Sequence, residues 1–98
     1  MNTKETIKSK LQQLLANIRN VEIIDDINNI VWNHIDDGQY ETKYDIAHYI
    51  SNQLNGIKCS IELMEQYEEE KNNEFADEHF DDAKWNIKCL IRYVEETL

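Results

Sequence analysis

The sequence predicts an all-α fold, a small antiparallel four-helix bundle with two shorter N-terminal helices and a longer C-terminal helical hairpin. Apolar residues recur every three or four positions along most of the chain, which is the spacing of a helix face. The chain has no proline and two glycines, so it lacks the turn residues typical of β domains. One helical domain with a modest core is expected over residues 1–98.

Two shorter helices are predicted in the first half of the chain, over about residues 4–19 and 22–37. Thr3 is expected to cap the first helix, and Gly38, which tolerates a positive φ, is expected to end the second. The apolar stripe of the first helix is Ile7, Leu11, Leu14, Leu15 and Ile18. The stripe of the second is Ile24, Ile27, Val31 and Ile35.

Two longer helices are predicted over about residues 43–70 and 74–97, joined by a polar turn at residues 71–73. A sequence that resembles a capping box, Thr-Lys-Tyr-Asp at residues 42–45, precedes the first of them. This helix is expected to continue through Asn55-Gly56, because its stripe keeps its phase there. The two stripes are Ile46, Ile50, Leu54, Ile57, Ile61 and Met64, then Ala76, Phe80, Ala83, Ile87, Leu90, Val94 and Leu98.

The two long helices are expected to fold back on each other as a hairpin. Pairing positions whose numbers sum to about 148 sets Ile61 against Ile87 and Cys59 against Cys89. Helices of this length would span about 40 Å, whereas the first two would span about 24 Å each. The hairpin is therefore predicted to overhang the rest of the bundle at its turn.

Negative charge is concentrated in one stretch. Twenty acidic residues against ten Lys and Arg give a net charge of −10, which argues against nucleic acid or an anionic membrane as a direct ligand. Residues 62–82 hold ten acidic residues and one lysine, a balance of −9, and they form both sides of the predicted turn. Like charges four residues apart cost about 0.2–0.5 kcal/mol each, and a partner rich in Lys and Arg would relieve that repulsion.

This acidic stretch is the predicted partner-binding site. The alternative, that the acidic residues form a solvated surface that only keeps the chain soluble, stays open. The residues expected to bind the partner are Glu65, Glu68, Glu69, Glu70, Glu74, Asp77, Glu78, Asp81, Asp82 and Trp85.

A second, weaker apolar face is predicted on the hairpin. Its members are Tyr49, Cys59, Leu63 and Tyr67 on the third helix, with Trp85, Cys89 and Tyr93 on the fourth. The favoured interpretation is that the first two helices cover both sides of the hairpin. The alternative is a docking surface, for a second copy or for a target, anchored by Trp85 and the tyrosines.

Other chemistry finds no support in the sequence. The two cysteines lack a CxxC spacing and are expected to be free thiols in the cytoplasm, and the longest apolar runs are too short for a signal peptide or a membrane span. No calcium loop is present, and a single Asp45-x-x-His48 does not make a di-iron site, so no metal or cofactor is expected. His34, His48 and His79 share no ligand spacing, and no catalytic motif occurs.

We therefore expect a non-enzymatic inhibitor that neutralises a basic protein, such as a toxin or nuclease domain, by mimicking the charge of nucleic acid. Bacterial immunity proteins, antitoxin-like proteins and phage counter-defence proteins are classes of this kind. The alternative is a helical structural or regulatory subunit that self-associates, as a homodimer for example, and whose acidic surface is only solubilising.

Overall fold

Four α-helices form the described part of the chain. The computed structural model describes residues 3–34 and 41–98. In chain order the helices are α1 (Thr3–Ala16), α2 (Glu22–His34), α3 (Glu41–Glu69) and α4 (Asn73–Thr97). Each helix packs against the next and α4 also packs against α1, whereas the diagonal pairs make no close contact within those residues. The predicted all-α bundle, with two shorter helices before a longer hairpin, is confirmed.

Contacts between side chains show that neighbouring helices run antiparallel. Lys8, near the start of α1, places its Nζ 2.9 Å from Oε1 of Glu95, near the end of α4. Nζ of Lys58, in the second half of α3, lies 4.0 Å from Oδ1 of Asp25, in the first turn of α2. Each connection therefore reverses the chain direction.

The core is one cluster of apolar side chains contributed by all four helices. The predicted stripes supply most of it, because side chains three and four residues apart meet on one helix face. Leu15, Ile46 and Phe80 are half-buried, and Leu98 is 37% exposed. Within the described residues no polar or charged side chain is buried. The buried side chains are Ile7, Leu11, Leu14, Ile18, Ile23, Ile24, Ile27, Val31, Ala47, Ile50, Leu54, Ile57, Ile61, Met64, Ala76, Ala83, Ile87, Leu90 and Val94.

The end of α1 and the start of α3 differ from the prediction, and the predicted end of α2 lies outside the described residues. Helix α1 ends at Ala16 instead of Arg19, because the N–H of Asn17 bonds to two carbonyls and a turn follows. Helix α2 is described to His34, so the predicted stripe residue Ile35 and the predicted end at Gly38 lie outside the described residues. Helix α3 begins at Glu41, so Thr42 lies inside the helix and is not its N-cap.

The turn between α3 and α4 is short because one residue serves both helices. Lys71 has a φ of 60°, and its N–H bonds to the carbonyl of Glu68. The N–H of Asn72 bonds to the carbonyl of Tyr67 at 2.8 Å, which completes a Schellman motif at the end of α3. Asn72 also caps α4, since its Oδ1 accepts the N–H of Phe75 at 3.4 Å.

This turn sets a register different from the predicted one. The rings of Tyr49 and Tyr93 lie 4.3 Å apart between centroids, those of Tyr67 and Phe75 lie 5.4 Å apart, and those of Tyr67 and His79 lie 5.5 Å apart, so the paired residue numbers sum to 142, 142 and 146. The predicted sum of about 148 is higher than all three, and the helix ends Glu69 and Asn73 also sum to 142.

At the turn, Arg19 in the connection between α1 and α2 reaches Glu68, one residue before the end of α3, through two long side chains. Lys58 of α3 contacts Asp25, in the first turn of α2, so α3 extends beyond the start of α2 toward the turn. Helix α3 runs unbroken through Gly56, as its constant phase predicted.

Candidate functional site

The predicted site lies at one end of the bundle, where α3 and α4 meet. We call residues 62–82 the acidic end. The nine predicted acidic residues and Trp85 are all exposed. The turn brings the carboxylates that end α3 and those that begin α4 to the same end of the molecule, as the hairpin predicted.

One acidic residue of this end is neutralised by a neighbour. Nη2 of Arg19 donates a hydrogen bond of 2.7 Å to Oε2 of Glu68. This hydrogen bond lowers the pKa of Glu68 and raises the pKa of Arg19. Among the described residues, no other carboxylate of the acidic end forms a salt bridge. This pair was not predicted from the sequence, because the hairpin was expected to overhang the first two helices at its turn.

The two sides of the turn differ in how they suit the helix dipoles. Glu68, Glu69 and Glu70 lie at the C-terminal end of α3, where a negative charge is unfavourable and no basic residue is present in the last turn. Glu74 lies in the first turn of α4, where a negative charge is favourable. With Glu68 neutralised by Arg19, the charges of Glu69 and Glu70 at the end of α3 are therefore less favourable than that of Glu74 at the start of α4.

An aromatic cluster lies beside the carboxylates at the turn. The ring of Tyr67 stacks on that of His79, with centroids 5.5 Å apart and an interplanar angle of 2°. Tyr67 also makes an edge-type ring contact with Phe75, whose side chain is 45% exposed. Tyr67 was predicted on the second apolar face. Its ring contacts with Phe75 and His79 were not predicted, because they depend on the register between α3 and α4.

A small open cleft of about 190 Å³ lies next to this cluster. Its volume is below the roughly 300 Å³ at which pockets for small molecules begin. Its lining combines one cation, two carboxylates and three apolar side chains. These are Arg19, Glu68, Asp77, Met64, Ala76 and Phe80.

The second apolar face is exposed, so the favoured interpretation that α1 and α2 cover both sides of the hairpin is wrong. Trp85 is 67% exposed, Tyr49 is 44% exposed and Leu63 is 38% exposed. The reason is that α1 packs on α4 and α2 packs on α3 from one side. We define the outer face by its exposed residues, which are Tyr49, Gly56, Cys59, Leu63, Trp85 and Cys89.

The cysteines of the outer face are separate free thiols. The ring contacts between α3 and α4 place Cys89 level with residues 53–57, two to six residues from Cys59 along the helix axis.

Residues 3–34 and 41–98 contain neither a metal-binding cluster nor a membrane-spanning helix. No group of three or more His, Cys, Asp or Glu side chains there is arranged to hold a metal ion. Across the same residues, no helix combines the length and apolar character that a membrane span requires. His79 stacks on Tyr67, and His48 lies beside Trp32 with ring centroids 6.3 Å apart.

The arrangement presents unpaired carboxylates and exposed aromatic rings side by side. Carboxylates accept charge-assisted hydrogen bonds from Lys and Arg, and aromatic rings supply area for contact. Comparisons of the chain with protein-family models, curated proteins and solved structures found no match.

Proposed function

We propose that the protein is a non-enzymatic inhibitor that binds a basic partner protein through its acidic end. The class of partner we propose is a toxin or nuclease domain whose cationic, nucleic-acid-binding surface the carboxylates would occupy. A cytoplasmic location belongs to the proposal, because free, exposed thiols suit a reducing compartment.

The observation that carries the proposal is the set of exposed acidic residues on both sides of the α3–α4 turn. Nine of the ten have no salt bridge among the described residues, although ten Lys and Arg are present in the chain. Unpaired carboxylates at this density repel one another and destabilise the free protein. A cationic partner would relieve that repulsion and would be drawn in by electrostatic steering.

The test is capture of a partner by immobilised protein, followed by inhibition of the purified partner. The site variant Glu74→Gln, Glu78→Gln, Asp82→Asn removes three charges from the acidic end, and the control Glu22→Gln, Asp25→Asn, Asp26→Asn removes three from α2. We expect the site variant to lose capture by at least about tenfold and the control to retain it, with capture falling steeply as salt increases.

Two results would refute the proposal. One is equal capture by the site variant and the control, and the other is a captured protein whose activity the chain leaves unchanged. Both variants have the same net charge. A difference in capture between them therefore depends on where the charges lie and not on the total charge.

Self-association is the second candidate function, and the exposed side chains of Trp85, Tyr49 and Leu63 favour it. A homodimer through the outer face would cover all three. Sedimentation equilibrium at high micromolar concentration tests it, and a monomer there would exclude a dimer of useful affinity.

A further inference from the structure

The outer face has a gap at its centre. Tyr49, Gly56 and Leu63 follow one another at intervals of seven residues, so they lie on one side of α3. Tyr49 and Leu63 are large and exposed, and Gly56 between them has no side chain. Seven residues span about 10 Å, so the gap is wide enough for one side chain of another helix.

Nothing inside the molecule explains the glycine. A Cβ at Gly56 would meet no atom within 4 Å, so no neighbouring helix requires its absence. Glycine within a helix is less favourable than alanine, and α3 continues unbroken through Gly56. Glycine in a helix otherwise serves close approach of another backbone, and here that approach is open only from outside.

The outer face continues into the acidic end along α4. Glu74, Glu78, Asp81, Asp82 and Trp85 succeed one another at steps of one, three or four residues, which places them along one side of the helix. All five are exposed. Apolar anchoring and negative charge therefore adjoin on the same side of the hairpin.

We propose that the outer face binds an amphipathic helix of the partner that is basic on its flank. Its apolar side chains would pack against Trp85, Leu63 and Tyr49, with one side chain over Gly56. Its Lys and Arg side chains would meet Glu78 and Asp82. This inference rests on the proposed function, because it specifies that the basic partner binds through an amphipathic helix.

A helix suits this face better than an extended or globular element. Two antiparallel helices form a straight groove between them, and a third helix packs into such a groove at an interaxial distance of 8–10 Å. Tyr49 and Leu63 lie about 21 Å apart along α3, a length that corresponds to about four turns of a partner helix.

Charge decides between a partner helix and a second copy of the chain. Each chain carries −10, so a dimer through this face would bring two strongly acidic molecules together. A basic helix would be attracted by the same charges. We therefore propose a partner helix on the outer face, and the test below also detects a second copy of the chain there.

The test uses three synthetic peptides of about 18 residues, each labelled with fluorescein. The first has leucine at three-and-four spacing and lysine elsewhere, the second has the same composition in scrambled order, and the third has glutamate in place of lysine. Binding is measured by anisotropy at nanomolar peptide. We expect the basic amphipathic peptide to bind at least about tenfold more tightly than either of the others.

Variants of the full chain locate the binding. Gly56→Gln fills the gap with a good helix former, and Trp85→Ala removes the exposed anchor, so both should fold. Each is expected to weaken binding of the basic amphipathic peptide by at least about tenfold. The control Asn55→Gln changes the neighbouring exposed residue, about 100° around the helix, and should leave binding unchanged.

The outcomes separate the two proposals. If no basic peptide binds, both the acidic end and the outer face lose their assigned role. If amphipathic and scrambled basic peptides bind equally, and Gly56→Gln and Trp85→Ala have no effect, the acidic end binds cations and the helix proposal is overturned. If the free chain sediments as a dimer that Gly56→Gln dissociates, a second copy occupies the face and the helix proposal is likewise overturned.

Discussion

Lys71 is, among the described residues, the one non-glycine residue with a positive φ, and it carries the chain out of α3. A side chain in this region is strained, whereas glycine is not. We expect Lys71→Gly to be more stable than Lys71→Ala by about 1 kcal/mol. Urea denaturation measures the difference, and the two variants have equal charge. Equal stabilities would show that the turn does not strain its side chain.

The Arg19–Glu68 hydrogen bond links the α1–α2 connection to the acidic end and depends on pH. It lowers the pKa of Glu68 from its ordinary value of 4.5, so its contribution is present above that value and is lost as the pH falls through the lowered pKa. A double-mutant cycle with Arg19→Gln and Glu68→Gln should give a favourable coupling energy at pH 7 that falls as the pH drops below 4.5 and Glu68 becomes protonated. A coupling energy that stays constant while Glu68 becomes protonated would contradict an ionic pair.

At the scale of the element, the helix dipoles give different energies to glutamates that lie close together in the sequence, at the end of α3 and at the start of α4. Glu69→Gln and Glu70→Gln remove unfavourable charges at the end of α3, and each is expected to increase stability by about 0.5 kcal/mol at low salt. Glu74→Gln also removes the favourable interaction with the start of α4, so its gain should be smaller. Thermal unfolding at low and high salt tests both expectations.

Salt provides the internal control for this comparison. At 0.5 M salt the Debye length falls to about 4 Å, so the gains at the end of α3 should largely disappear. A gain that is independent of salt would have another cause, such as a difference in helix propensity between Glu and Gln.

The helices could be predicted from the sequence because each stripe reports local geometry. The hairpin register could not, since a stripe such as Ile57, Ile61 and Met64 matches several partners on α4 equally well. The hydrogen bonds of Asn72 fix the end of α3 and the start of α4, and the predicted helix ends at about residues 70 and 74 sum to 144, so the predicted sum of about 148 did not match even the predicted turn. Local patterns therefore predict elements better than they predict how elements meet.

At the scale of the whole molecule, one part of the candidate site could be predicted from the sequence and another part could not. The position of the acidic residues at one end followed from their place in the chain and from the hairpin. The Arg19–Glu68 pair and the exposure of Trp85 depend on which sides of the hairpin α1 and α2 occupy. That choice is made by packing among all four helices, and no single segment encodes it.

Asn72 ends one helix and caps the next, so the connection has no slack. Each residue added there would turn α4 by about 100° about its axis and move it by 1.5 Å. The buried stripe of α4 would then rotate out of the core, and Trp85 would rotate away from the outer face. The connection at Asn72, 13 residues before Trp85, therefore fixes how far α4 is rotated relative to α3, and the packing of all four helices then decides which side of α4 is covered.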